Sequence, residues 1–131
     1  MAAQQFDFVS NPSGGGNPCE QGATFSQQVQ WAVETPPGSC IQVPVNLTGY
    51  TAKMQVRRLH KTDPIIIELS TVNGRITLDA PNGNVNLLIS ASDTALLISG
   101  IYKYDLELTD ASGFVTRLIQ GDFEIVEQIT V

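Results

Sequence analysis

The side chains in this sequence that could do chemistry are scattered carboxylates, one histidine and two cysteines. Asp105 precedes Glu107 by two positions, and Asp122 precedes Glu124 in the same way. Carboxylates at this spacing share one face of a β-strand, where they could bind calcium or act as a glycosidase acid and base. The same spacing fits a solvated face with basic residues opposite. We favour the solvated face and predict no catalytic, cofactor-binding or metal-binding residue.

The remaining reactive residues do not form a recognisable motif. His60 stands just before the turn signal Asp63-Pro64, which predicts an exposed loop histidine. The sequence has no Gly-x-Ser-x-Gly elbow and no P-loop. Cys19 and Cys40 lack metal-ligand spacing, so we expect free thiols, with a disulfide between them as the alternative. We therefore expect a protein that is not an enzyme.

Charge and hydropathy exclude two classes of partner. The chain has 131 residues, a net charge of -6 and only seven Lys and Arg, which argues against nucleic-acid binding. No apolar run reaches the roughly 18–20 residues of a membrane helix. The first residues lack the basic and apolar regions of a signal peptide, so we expect synthesis in a cytoplasm.

Side chains that could be buried recur with the period of a β-strand. Ala52, Met54 and Val56 alternate with Lys53 and Arg57, which predicts a strand with one buried face. Similar segments cover 24–33, 40–47, 65–69, 75–78, 84–89, 101–109 and 115–126, although Pro44 demotes 40–47 to an edge or loop segment. A segment that breaks the alternation predicts one short helical turn near residues 92–97. The sequence therefore predicts an all-β immunoglobulin-like β-sandwich of about seven or eight antiparallel strands, with a small barrel as the alternative.

Particular residues predict details of that sandwich. Asn73-Gly74 predicts a hairpin, and Gly121 predicts a bulge or bend in the last strand. Tyr102 or Tyr104 could form the hydrogen bond of a tyrosine corner. Trp31 is the predicted core aromatic residue.

The first 22 residues differ in composition from the rest. Residues 10–18 are rich in Gly, Pro, Ser and Asn, which is typical of a flexible tether. We therefore predict a flexible N-terminal arm over 1–22 and a β-sandwich domain over 23–131. The apolar residues Phe6, Phe8 and Val9 are the predicted interface with a neighbouring protein. In the alternative, this segment pairs with its own domain as an edge strand.

Two motifs carry a resemblance to a known family. The first is Leu-Thr-Gly-Tyr-x-Ala-x-Met-x-Val-Arg at 47–57, and the second is Tyr-Asp-Leu-Glu-Leu at 104–108. Between them stand 69–76 and 83–95, and 113–125 follows. Together these segments resemble the small immunoglobulin-like domains of tailed-bacteriophage structural proteins. They are similar to the N-terminal domain of upper-baseplate (BppU-type) proteins.

The resemblance implies a virion structural protein that is synthesised in the host bacterial cytoplasm and mediates assembly through protein–protein contacts. Expected locations are the neck or collar, the baseplate or a fibre attachment point, and no coiled coil follows the last strand as it would in a fibre. Expected partners are other virion proteins, with the chain present as a homo-oligomer or in multiple copies on a symmetric particle. No catalytic residue and no cofactor is implied. The alternatives are a capsid decoration protein and a carbohydrate- or calcium-binding module.

Overall fold

The computed structural model describes residues 4–10 and 16–129, and these residues form two packed sheets and a small ribbon. The strands are β1 (Gln4–Gln5), β2 (Cys19–Glu20), β3 (Phe25–Gln30), β4 (Ala32–Glu34), β5 (Gln42–Pro44), β6 (Thr51–Arg57), β7 (Ile65–Ser70), β8 (Ile76–Asp79), β9 (Asn84–Ile89), β10 (Gly100–Thr109) and β11 (Val115–Val126). A 3₁₀ turn (Ala80–Asn82) precedes β9, and one α-helical turn, α1 (Ala91–Thr94), follows it. Neither turn has the length and apolarity that a membrane-spanning helix requires.

The strand order is that of an immunoglobulin-like sandwich. The larger sheet runs β1-β11-β10-β6-β7, with β2 also on β11, and the smaller sheet runs β3-β9-β8. β4 and β5 pair antiparallel with each other as a separate ribbon, which follows β3 and precedes β6 in the chain. The central strands of both sheets are antiparallel, and the order matches the CFG and BED sheets of immunoglobulin domains. The predicted all-β immunoglobulin-like sandwich is confirmed.

Alternation along each strand builds the core between the sheets. Met54 and Val56 of β6 are fully buried, whereas Lys53, which precedes Met54 in the same strand, is exposed. Each fully buried Val, Leu, Ile or Phe contributes about 1.5–3 kcal/mol of transfer free energy. The smaller sheet contributes the buried side chains Phe25, Ile76, Val85, Leu87 and Ile89.

The corner between β9 and β10 forms as predicted. Ser90 caps α1, because its hydroxyl accepts a hydrogen bond from the Asp93 N–H at 3.3 Å. The Tyr102 hydroxyl then donates to the Ile98 carbonyl at 2.7 Å. This is the tyrosine corner, and Tyr102 rather than Tyr104 makes it.

Three predicted details differ in the structure. The turn at Asn73-Gly74 carries the chain from one sheet to the other, so β7 and β8 do not pair as a hairpin. The bulge of β11 lies at Leu118, where Glu107 pairs with Arg117 and Leu106 with Ile119, and not at Gly121. Trp31 is only partly buried against Tyr50, whose ring centroid is 6.0 Å away.

The described part of the N-terminal segment lies on the domain. Gln4 and Gln5 pair parallel with β11, and β2 pairs parallel with the end of the same strand. The structure therefore follows the edge-strand alternative over residues 4–10 and 16–22 rather than the free arm. Residues 1–3 and 11–15, the rest of that prediction, lie outside the described residues.

Candidate functional site

The three predicted interface residues occupy different environments. Phe8 is fully buried in the core, Val9 is half-buried, and Phe6 is 41% exposed. The Phe8 N–H donates to the Asp122 carbonyl at 2.8 Å, which fixes the segment to β11. In this structure Phe8 is therefore unavailable to a partner. Contact of Phe6 or Val9 with another protein stays a prediction.

An aromatic cluster explains why this segment docks on its own domain. The Phe8 ring lies 5.5 Å from Phe25, 5.1 Å from Tyr104 and 6.0 Å from Phe123, measured between centroids. Such pairs contribute about 0.5–1.5 kcal/mol each beyond their burial. The Tyr104 hydroxyl also donates to the Phe6 carbonyl at 2.5 Å. Burial raises the pKa of Tyr104, so this hydroxyl keeps its proton.

Gly121 allows the segment to approach β11 closely. A Cβ atom at this position would clash with the Phe6 carbonyl oxygen and the Asp7 carboxylate. A glycine at position 121 is therefore required by the close approach of two backbones and not by a bulge.

The outer side of the larger sheet, which we call the charged face, holds the carboxylate pairs. Lys103 forms an ion pair with Asp122, and Arg117 lies 3.2 Å from Asp105 and 3.4 Å from Glu107. Burial, and then the Glu107 carboxylate, raise the pKa of Asp105, while Arg117 opposes the shift. The predicted solvated face with cations opposite is confirmed.

The bulge at Leu118 makes this face possible. An extra residue in a strand moves every later side chain to the opposite face of the sheet. Ile119 and Phe123 point into the core, so without the bulge Arg117 would share their side. The bulge instead places Arg117 beside its two carboxylates and leaves Val115 53% exposed.

Apolar side chains are exposed on the β4–β5 ribbon and its connecting loop, which we call the hairpin (residues 32–44). Val33, Ile41 and Val43 are 41%, 59% and 42% exposed. The alternating pattern predicts a half-buried strand over 24–33, and Pro44 predicts an edge or loop segment over 40–47. The ribbon pairs with no other strand of the described residues, and Val33 and Val43 lie on its more exposed face.

The base of the hairpin is fixed to the sandwich by backbone contacts. The Trp31 N–H donates to the Gly83 carbonyl at 2.8 Å, and the Val45 N–H donates to the Trp31 carbonyl at 2.9 Å. Gly83 has a φ of 65°, and a Cβ there would press on the Trp31 and Val45 carbonyls. These contacts hold the hairpin in a defined position although its tip projects from the core.

The other reactive residues stand apart from one another. His60 is exposed in the loop after β6, where its backbone N–H donates to Asp63 at 2.9 Å. Cys19 and Cys40 are free thiols, one buried and one exposed. Burial raises the pKa of the Cys19 thiol to about 11. Within residues 4–10 and 16–129, no three His, Cys, Asp or Glu side chains are grouped to hold a metal ion.

Comparisons with known proteins add little to this description. No protein-family model and no curated protein matches the chain. Among solved structures, it is similar to Drosophila OTK extracellular domains 3–5, with 18% sequence identity and a TM-score of 0.31. The match covers 98% of this chain and 39% of that chain, so this chain spans well under half of that structure. At this TM-score the likeness carries no weight for function.

Proposed function

We propose that this chain is a non-enzymatic structural protein of a tailed-bacteriophage virion, where it mediates assembly by binding other virion proteins. The observation that carries the proposal is the exposed apolar surface of the hairpin. Immunoglobulin-like sandwiches are typically binding modules, and their end loops are a usual place for contacts. The motifs at 47–57 and 104–108 supply the virion context by resemblance.

The hairpin has the properties of a surface that a partner covers. A two-stranded ribbon alone is only marginally stable in water. Its exposed Val33 and Val43 lie directly opposite each other, so both are available to one partner surface. Glu34 is the only charged residue between 21 and 52, so an apolar partner would have few charges to desolvate there. These features support a contact with another protein.

The calcium-binding alternative has less support. Each of the four carboxylates that suggested it already accepts a hydrogen bond or ion pair from the protein. Asp105, Glu107 and Asp122 face Arg117 or Lys103. Glu124 accepts from the Ser10 N–H and hydroxyl, both at 2.7 Å. Calcium would have to displace these donors.

The experiment is incorporation of hairpin variants into particles. Val33→Lys combined with Val43→Glu removes the two cross-strand valines of the apolar surface but keeps an attractive cross-strand pair. We expect the variant to fold and to be lost from purified particles, as measured by quantitative mass spectrometry. The matched control is Val72→Glu, which adds charge at a 93% exposed valine in the turn after β7. Normal incorporation of the hairpin variant would refute the proposed role of the hairpin.

A further inference from the structure

The edges of the two sheets differ in how far their backbone groups are hydrogen-bonded. The outer edge of β11 is paired with the N-terminal segment. The Phe6 N–H donates to the Gln120 carbonyl at 2.9 Å, and the Glu124 N–H donates to the Phe8 carbonyl at 2.8 Å. The Asp7 carboxylate accepts from the Asp122 N–H at 2.9 Å. Backbone groups that could recruit another strand are therefore already paired along this edge.

The opposite edge of the larger sheet, β7, is capped by side chains. The Glu68 carbonyl accepts from Asn73 at 2.9 Å and from Arg75 at 3.0 Å. The Ser70 N–H donates to the Asn73 side chain at 3.0 Å. Edge groups that are engaged in this way are poor templates for an added strand.

The β3 edge of the smaller sheet is open by comparison. Gln30 is paired with Asn84 in the β3–β9 ladder, and the Trp31 N–H donates to the Gly83 carbonyl one position further along. Because the backbone groups of alternate residues in a strand point to opposite sides, the odd-numbered residues of β3 direct their N–H and C=O groups toward β9. The backbone N–H and C=O groups of Ser26, Gln28 and Gln30 therefore point away from the sheet. Within the described residues, no hydrogen bond reaches these groups.

The charge distribution allows a second copy of this chain to occupy this edge. The chain carries a net charge of -6, so two copies repel each other over most of their surface. β3 has no charged residue and no proline, and Ser26, Gln28 and Gln30 carry its exposed side chains. Two copies can meet here without opposing like charges. An isologous contact of this kind is the commonest way in which copies of one chain associate.

We infer that β3 of one copy pairs antiparallel with β3 of a second copy, around a twofold axis at Gln28. Ser26 then pairs with Gln30 of the second copy, and the outward backbone groups on both strands find partners. The two smaller sheets join into one sheet of six strands, ordered β8-β9-β3-β3-β9-β8. This inference rests on the proposed function and gives it a defined contact between copies.

Mass in solution tests the pairing. Multi-angle light scattering on the full chain should give twice the monomer mass of 14.1 kDa at high concentration. Gln28→Pro removes an N–H that points to the open edge and leaves the β3–β9 ladder intact, so it should give a folded monomer. Gln28→Lys places like charges on the axis and should raise the dissociation constant at least about tenfold. Thr77→Lys, on the exposed side of β8 in the same sheet, is the control that should remain dimeric.

A disulfide tests the register. In a Cys40→Ser background, Gln28→Cys should form a covalent dimer on mild oxidation, because directly opposite residues of a hydrogen-bonded pair lie about 5.5 Å apart between Cα atoms. Thr77→Cys should not. A wild-type monomer at every concentration, with equal cross-linking of both cysteine variants, would overturn the inference. So would a monomer whose β3 edge binds a strand of a different virion protein. Loss from particles reports on the proposed function instead, so the two failures are distinguishable.

Discussion

The outer faces of the two sheets differ in charge, and the edges of the sheets differ in closure. The charged face has ion pairs that link β10 and β11, and both edges of its sheet are closed by the N-terminal segment or by side chains. The outer face of the smaller sheet instead carries amides and hydroxyls along β3, such as the Gln28 amide that donates to Asn86 at 2.9 Å, and has Asp79 as the acidic residue of β8. Its β3 edge is uncharged and open, and an open, uncharged edge permits association that a closed, charged sheet resists. The smaller sheet and the hairpin are therefore the expected contact surfaces.

Removing Phe8 should break the closure of the larger sheet and have the largest effect. Phe8→Ala leaves a cavity among the rings of Phe25, Tyr104 and Phe123, so we expect the free energy of unfolding to fall by about 3–5 kcal/mol. Urea denaturation followed by fluorescence or circular dichroism measures it. Phe6→Ala, at a ring that is 41% exposed, is the control and should cost at most about 1 kcal/mol. Equal small effects would mean that the N-terminal segment does not stabilise the sheet.

Weakening the corner that joins the smaller sheet to the larger one should have the next effect. Tyr102→Phe removes the hydroxyl that donates to Ile98, and we expect a loss of about 1–2 kcal/mol of unfolding free energy. Tyr50→Phe is the matched control, because the Tyr50 hydroxyl bonds to no described residue. A Tyr102 variant as stable as the wild type would show that the corner is held by packing alone.

Lowering the pH should weaken the contact between Ser10 and β11, because the Glu124 carboxylate becomes protonated. Hydrogen bonds from Ser10 hold the pKa of Glu124 below its ordinary value of 4.5. A lowered pKa gives stability that is present above pH 4.5 and is lost as the pH falls through the lowered value. We therefore expect Glu124→Gln to lower the melting temperature at pH 7, by a difference from the wild type that shrinks as the pH falls below 4.5. A difference that does not shrink at all as the pH falls would contradict this account.

Removing a cation from the charged face should have the smallest effect. Arg117 is about half exposed in both of its ion pairs, so Arg117→Leu should cost roughly 0–1 kcal/mol at low salt. The difference from the wild type should shrink in 1 M NaCl, where screening is strong. Thr77→Leu, at an exposed uncharged residue on the outer face of the smaller sheet, should show no such salt dependence. A salt-independent loss for Arg117→Leu would point to packing of its aliphatic stem instead.

Local sequence signals predicted the features that depend on local structure. The alternation around Met54, the helical turn near α1 and the tyrosine corner each follow from residues close together in the chain. These features were predicted correctly because propensity and spacing determine them. The charged face was also predicted, since residues two apart in a strand share a side.

Features that depend on distant contacts were predicted poorly. The N-terminal segment pairs with β11, more than 100 residues away, and the Gly- and Pro-rich sequence after it suggested a free arm. Nothing near Leu118 marks the bulge that moves Arg117 to the outer face. The hairpin residues Val33 and Val43 alternate as core residues do, yet no sheet lies against them. Periodicity predicts which side chains share a face and does not predict what covers that face.

The presence of this chain in assembled particles tests the central claim most directly. Quantitative mass spectrometry of purified virions gives its copy number relative to the capsid and tail proteins. We predict a fixed number of several copies per particle, retained through gradient purification and high-salt washing. A chain that is absent from virions, or that washes off without a fixed ratio, would contradict the proposed role as a virion structural protein.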